Sequence, residues 1–148
     1  MRRIIAFILL GYLPILGGLT TDPGPWYDGL EKAPFHPPGW IFGPVWMVLY
    51  LLIGLGLERW HRQRGGFGAG WWTVIACHHL LNAAWTPLFF GLQQPAWALV
   101  DILLLAGLIA IICRNMAGRS RIALACFLPY AGWVGFAALL NAWIVWAN

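Results

Sequence analysis

Residues 26–46 read WYDGLEKAPFHPPGWIFGPVW. This stretch holds four of the chain's ten prolines, three aromatics before Pro37, and the charged residues Asp28, Glu31 and Lys32. Proline fixes φ and removes a backbone donor, so Pro34, Pro37 and Pro38 stop a helix from running through. Past Pro38 the composition changes: residues 38–57 carry no charge, and their ~20 residues are enough to cross a ~30 Å hydrocarbon core as a helix. The stretch therefore reads as a stiff aromatic lid, residues 22–37, that turns into a membrane-spanning helix at its end.

Working outward, the remainder of the chain is oilier still. Of its 148 residues 61% are apolar and 9% charged, whereas a soluble domain carries about 25% charged residues. A single integral membrane domain is the reading, all-α, because only helices or closed barrels satisfy their backbone in lipid. Five spans are expected, at about residues 4–21, 38–57, 71–92, 96–113 and 122–147. Pro38 and Pro95 stand in first turns, where helices tolerate proline. The Gly65-Gly66-Phe67-Gly68 stretch and residues 117–121 read as turns.

The charges test that count. With five crossings, Arg2, Arg3, Arg59, Arg62, Arg64, Arg114, Arg119 and Arg121 all fall on one side, and of the nine basic residues only Lys32 falls on the other. This is the bias of the positive-inside rule, and an error of one span would scatter it. The N-terminus is therefore expected in the cytoplasm, with the lid and the C-terminus on the opposite side. The same split accounts for the net charge of +4 without nucleic acid. Met1, Arg2 and Arg3 before an apolar run also suit a signal peptide; an uncleaved first helix is preferred, because its removal would leave four spans. Cys77, Cys113 and Cys126 lie in or at the ends of apolar runs without metal-type spacing and read as buried small hydrophobes.

Eleven tryptophans exceed what interfacial anchoring needs, and Trp46, Trp85 and Trp133 fall well inside apolar runs. Helical spacing of three and four gathers them into stripes. Gly43, Trp46 and Tyr50 share one face of the second span; His78, Asn82, Trp85, Thr86 and Phe89 one face of the third; Tyr130, Trp133, Ala137, Leu140 and Asn141 one face of the fifth. Polar groups in spans face the bundle interior, so the stripes would enclose a flat apolar cavity with a few donors. The competing reading is helix packing held by Asn, His and small residues.

Other residues carry two readings. Asp101, a little over one turn inside the fourth span, is either functional or a structural partner for a His, Asn or Trp N–H on a neighbouring helix. His78 and His79 are adjacent and diverge by about 100° around a helix, which argues against one shared metal ion; no metal site is expected. His36 in the lid is either a ligand contact or a solvated histidine. Lys32 either pairs within the lid or meets a ligand carboxylate. Gly39 with Gly43, and Ala131 with Gly135, allow close helix approach, within the bundle or at a dimer seam.

The chain resembles the tryptophan-rich sensory protein/translocator protein family (TspO/MBR, the peripheral-type benzodiazepine receptor family). The resemblance rests on Trp26-Tyr27, Leu30, Lys32, Pro37-Pro38, Trp40, Phe42, Pro44-Val45-Trp46 and Tyr50. It continues in Asn82-Ala83-Ala84-Trp85-Thr86-Pro87-Leu88-Phe89-Phe90-Gly91, Val100-Asp101, Pro129-Tyr130 with Trp133, and Leu140-Asn141. It implies a five-helix bundle, usually a homodimer, that binds porphyrins such as protoporphyrin or haem, related tetrapyrroles and synthetic aromatic ligands, with no required cofactor. Two departures stand out. Ala33 separates Lys32 from Pro34 where proline usually follows directly, and nothing after Leu140 supplies the Tyr and basic residue of the family's sterol motif, so sterol binding is not expected.

The expected site comprises Trp26, Tyr27, Lys32, His36, Gly43, Trp46, Tyr50, His78, Asn82, Trp85, Phe89, Asp101, Trp133, Ala137 and Leu140. No Ser-His-Asp, Cys-His or metal constellation offers ordinary catalysis. The leading reading is a receptor or carrier for tetrapyrroles, with a regulatory or transport role. The alternative is light- and oxygen-dependent degradation of bound protoporphyrin, with Trp46 and Trp133 as the photochemical residues. A proton-coupled exporter driven through Asp101 leaves the lid without a task.

Overall fold

The computed structural model describes residues 1–19, 21 and 23–148. Thr20, at the end of the first expected span, and Asp22, at the start of the lid, lie outside the described residues. The elements are α1 (Arg2–Tyr12), continued by a 3-10 turn at Leu13–Gly17; the short α2 (Gly24–Asp28) inside the lid; α3 (Phe42–Gln63), entered through a 3-10 turn at Gly39–Ile41; α4 (Ala69–Thr86), continued by a π turn at Pro87–Gly91; α5 (Pro95–Ala117); and α6 (Arg121–Ala147). No strand occurs among the described residues.

Among the described residues three segments are long and apolar enough to cross a membrane by length and composition: Gly39–Gln63, Pro95–Ala117 and Arg121–Ala147. The other two rods fall short for visible reasons. Pro14 breaks the first after 11 helical residues, and α4 has 18 residues interrupted by His78, His79 and Asn82 before Pro87. Several helices outrun their expected ends. Thus α3 continues through Glu58–Gln63, where apolarity stops but helical propensity does not.

The tightest packing lies toward the arginine-rich end. Ile53 and Trp60 of α3, Ile112 and Met116 of α5, and Ala123, Phe127, Tyr130 and Val134 of α6 are fully buried. At that end Ser120 caps α6, its Oγ accepting from the Ala123 N–H at 3.1 Å. Arg64 lies over the rings of Trp60 and Trp71, 5.4 and 5.0 Å from their centroids. The outer surface is apolar: Leu9, Leu80, Leu103, Leu128 and Leu139 are all exposed. Trp40, Trp97 and Trp146, at the lid end, are exposed too, where interfacial indoles are expected.

Two glycine contacts fix how the rods meet. A Cβ on Gly11 would overlap the Tyr50 carbonyl, and one on Gly54 would overlap the α1 backbone at Phe7 and Ile8, so α1 and α3 touch backbone to backbone. Gly17 lies as tightly against the Ala83 carbonyl. That carbonyl is the one Pro87, four residues on, cannot bond, having no N–H. The small pairs expected to mediate such approach do not do so among the described residues: there a Cβ on Gly39, Gly43 or Gly135 would meet nothing within 4 Å.

Candidate functional site

Loose packing at the lid end leaves two adjoining chambers. The inner one, about 290 Å³, lies among Pro14, Ile15 and Gly18 of the first rod, Phe42, Gly43, Trp46, Met47 and Tyr50 of α3, Asn82, Trp85 and Thr86 of α4, Ile102 and Leu105 of α5, and Ala137. The outer one, about 260 Å³, lies under the lid residues Pro23, Tyr27 and His36. Gly39 and Phe42, Trp46, Trp85, Thr86, Phe89 and Phe90, and Ala137, Leu140, Asn141 and Ile144 of α6 complete it. Phe42, Trp46, Trp85, Thr86 and Ala137 line both, so the chambers are neighbours that share these five side chains. Together they reach the range of small-molecule sites, roughly 300–1,000 Å³.

The aromatic walls follow from local backbone. Pro87 converts the end of α4 into a π turn, closed by Leu92 N–H donating to Pro87 O at 2.8 Å. This directs Phe89 and Phe90 toward the lid, and such turns recur at functional sites. Trp85 stacks on Phe89, centroids 4.9 Å apart and planes 20° apart. Trp46 leans over Tyr50 at 5.3 Å and meets Tyr130 edge-on.

A short polar network supports those walls. Tyr50 O–H donates to Asn82 Oδ1 at 3.4 Å, and Asn82 Nδ2 donates to the Tyr130 hydroxyl at 2.7 Å. Trp85 Nε1 donates to Asn141 Oδ1 at 3.1 Å, and Asn141 Nδ2 donates to Pro95 O at 2.8 Å. Each asparagine thus joins two helices, so the packing reading of these residues holds alongside their place in the cavity lining.

The lid is organised around Tyr27. Its hydroxyl lies 2.7 Å from His36 Nε2. Lys32 Nζ donates to the carbonyls of Tyr27, Asp28 and Leu30 at 2.6, 3.3 and 3.4 Å and sits 4.6 Å from the Tyr27 ring centroid. Burial, then Asp28, raises the Tyr27 hydroxyl above its usual value. Burial, then Lys32, lowers His36, while a hydrogen bond to the Pro37 backbone raises it. Ala33, the residue separating Lys32 from Pro34, is buried, and its carbonyl accepts from His36 N–H at 2.9 Å to close the turn.

Of the expected site residues, Tyr27, His36, Gly43, Trp46, Tyr50, Asn82, Trp85, Phe89, Ala137 and Leu140 line the chambers. Five stand off them. Trp26 packs edge-on against Phe89 at 5.9 Å, behind the wall. Lys32 is engaged within the lid. Trp133 sits edge-on to Phe42 at 5.6 Å, its buried Nε1 without a partner among the described residues. His78 lies deeper, edge-on to Tyr130. Asp101 is buried, with no hydrogen-bond partner for Oδ2 among the described residues, so the expected N–H partner is absent at that atom.

The two histidines do not diverge as their helical positions suggest. Their Nδ1 atoms lie 3.2 Å apart, and His79 Nδ1 is 2.8 Å from Ile75 O. A carbonyl only accepts, so the proton sits on His79 Nδ1 and His78 Nδ1 is left as an acceptor. Rotation about the side-chain bonds brings the rings together. Among the described residues no three His, Cys, Asp or Glu side chains gather as metal ligands would.

Sequence reasoning missed the first rod. Pro14, Ile15 and Gly18 face the inner chamber, and the break at Pro14 was the signal that this helix end does more than span. Ile102, Leu105 and Ile144 were missed because an aliphatic residue looks alike in a core and in a cavity wall.

Comparison with known proteins agrees with this architecture. The translocator protein of Bos taurus is 39% identical over 138 residues, covering 87% of this chain and 82% of its own length. The tryptophan-rich protein TspO of Archaeoglobus fulgidus is 40% identical over 149 residues, covering 95% and 91%. Protein CrtK of Rhodobacter capsulatus is 31% identical over 129 residues, covering 84% and 79%. The TspO/MBR family model matches residues 4–147. A proline-bounded aromatic lid, a tryptophan-lined hollow beneath it and a match along almost the whole chain place this integral membrane protein in the TspO/MBR family.

Proposed function

We propose that the chain crosses the bilayer five times, with its arginine-rich end in the cytoplasm, and binds porphyrins and related tetrapyrroles in the paired chambers as a receptor or carrier. The observation that carries this reading is the pair of adjoining chambers that share Trp46 and Trp85, the outer one lined by Tyr27 and His36 of the lid. Indole and phenyl faces stack on a flat conjugated guest, and the few polar groups, at Tyr50, Asn82 and His36, orient it. Lys32 is occupied within the lid, so a guest's carboxylates point toward the His36 mouth, where water reaches them. A regulatory or transport role accords with the names of the relatives, translocator protein among them. The homodimer remains part of the proposal; an apolar, glycine-dotted surface on α5 and α6, with open positions at Gly107, Gly132 and Gly135, is compatible with it.

The test is a titration of the purified protein in lipid nanodiscs with protoporphyrin in darkness. Saturable quenching of tryptophan emission, weakened by Trp46→Ala, is the expected result. Quenching that never saturates, or that is indifferent to Trp46, sinks the reading. Trp46 at the junction of both chambers also gives the alternative a foothold, since an electron-rich indole beside an excited porphyrin is placed to react. Repeating the titration under light in air decides it: a new absorbing product that vanishes in Trp46→Phe supports degradation.

A further inference from the structure

The lid is held to the bundle by two unlike kinds of contact. Trp26 and Tyr27 pack edge-on against Phe89 and Phe90 of the π turn, and Phe35 rests against Phe136 and Trp143 of α6 at 6.4 and 6.1 Å. These are ring contacts without hydrogen bonds. The other kind is directional. Glu31 N–H donates to Asn148 Oδ1 at 2.9 Å, and Asn148 Nδ2 donates back to Glu31 O at 3.3 Å. A side-chain amide carries the same donor and acceptor as a peptide group, so Asn148 clasps the lid main chain as a neighbouring strand would. Its Nδ2 also donates to Ile144 O at 3.0 Å, which fixes the side chain to the end of α6. Among the described residues these are the only side-chain hydrogen bonds from the lid to the rest of the chain.

The position matters as much as the pairing. Ile144, Asn141 and Leu140 form one lip of the outer chamber, and Tyr27 and His36 form the facing lip. The clasp joins the element carrying the first lip to the element carrying the second, yet Asn148 lines neither chamber. Both partners are exposed, so water replaces the bonds when they break and opening is reversible.

We infer that Asn148 is the latch of the outer chamber: a guest enters or leaves when the Asn148–Glu31 pair parts, and the pair governs the rate of passage while leaving the strength of binding to the walls. The inference rests on the reading of the chambers as a ligand site. A latch that touches no guest stabilises the closed lid whether the chamber is filled or empty. Its loss therefore speeds entry and exit by the same factor and leaves their ratio unchanged.

The experiment uses the full chain in nanodiscs and has two readouts. Stopped-flow quenching by protoporphyrin should give association and dissociation rates that both rise roughly ten-fold in Asn148→Ala, with the dissociation constant within about two-fold of the original. Asn148→Asp keeps the acceptor for Glu31 N–H but loses the donor, and should fall between. The second readout needs no guest: Leu140→Cys, in a chain with Cys77, Cys113 and Cys126 replaced by alanine, is modified by a methanethiosulfonate reagent. Adding Asn148→Ala should raise that rate by a similar factor. Unchanged rates in both readouts overturn the latch, as does faster dissociation with unchanged association, which would make Asn148 a support of the bound state. If protoporphyrin fails to bind the unaltered chain, the tetrapyrrole reading falls while the thiol rate still decides the latch.

Discussion

Trp85 and Asn141, 56 residues apart, are joined by an indole N–H donated to a side-chain carbonyl at 3.1 Å, and Asn141 passes its own amide proton on to Pro95 O at 2.8 Å. One asparagine therefore ties α6 to the end of α4 and to the first turn of α5, at the lip of the outer chamber. Replacing Asn141 with Leu keeps the volume but strands the Trp85 N–H and removes the tie to the Pro95 carbonyl. Polar contacts between membrane helices contribute about 0.6–1.7 kcal/mol each, so a loss of about 1–2 kcal/mol is expected. Reversible unfolding in mixed micelles measures it; an unchanged midpoint would contradict the role.

Gly17 against the Ala83 carbonyl leaves no space for a methyl group, because the opposing atom is backbone. Gly17→Ala should cost at least about 1–3 kcal/mol, as overpacking does, and should widen the inner chamber at its Pro14 side. Gly132→Ala is the control, since a Cβ there meets nothing within 4 Å among the described residues. It should be neutral or stabilising by up to about 1 kcal/mol, the helix-propensity gain. Equal effects in thermal unfolding would refute the backbone contact.

Gly43 offers a way to fill the inner chamber without disturbing the bundle, since its added Cβ also meets nothing among the described residues while the residue lines that space. Gly43→Leu should weaken protoporphyrin binding at least about ten-fold, equivalent to about 1.4 kcal/mol, while the unfolding temperature holds. Undiminished affinity would place the guest elsewhere.

His36 makes the closed lid sensitive to acid. Burial and then Lys32 hold its imidazole below the ordinary 6.5, so the folded lid prefers the neutral ring, whose Nε2 accepts from the Tyr27 hydroxyl. The unfolded chain takes up the proton more readily. The stabilisation is accordingly complete above pH 6.5 and is lost as pH falls through the lowered folded value. Hydrogen exchange at the Glu31 amide should accelerate on acidification from neutrality after correction for intrinsic exchange. His36→Gln, which accepts from Tyr27 at any pH, should abolish that dependence; a variant that keeps it would assign the effect to another group.

How much of this was legible beforehand differs between levels. The lid, the apolar rods and their order followed from Pro34, Pro37, Pro38 and Pro95 and from runs with almost no charge, because bilayer thickness and backbone satisfaction leave few alternatives. The stripes of Trp46, Asn82 and Ala137 were readable from spacing alone. Whether a striped residue reaches the hollow was not. Trp133 obeys the same period yet turns aside onto Phe42, and His78 and His79 swing together although their positions diverge, because a rotamer is chosen by the neighbour it meets.

The sequence by itself determined that this protein is a helical membrane chain with an aromatic, proline-stiffened cover, since hydropathy, proline and charge distribution act locally and sum along the chain. Only the tertiary structure decided which glycines bring rods into contact, that the first rod helps wall the inner chamber, that Lys32 is spent inside the lid, and that Asn148 holds Glu31. Those outcomes depend on pairs far apart in the chain, and a donor's partner or a cavity's edge exists only once the distant residues have met.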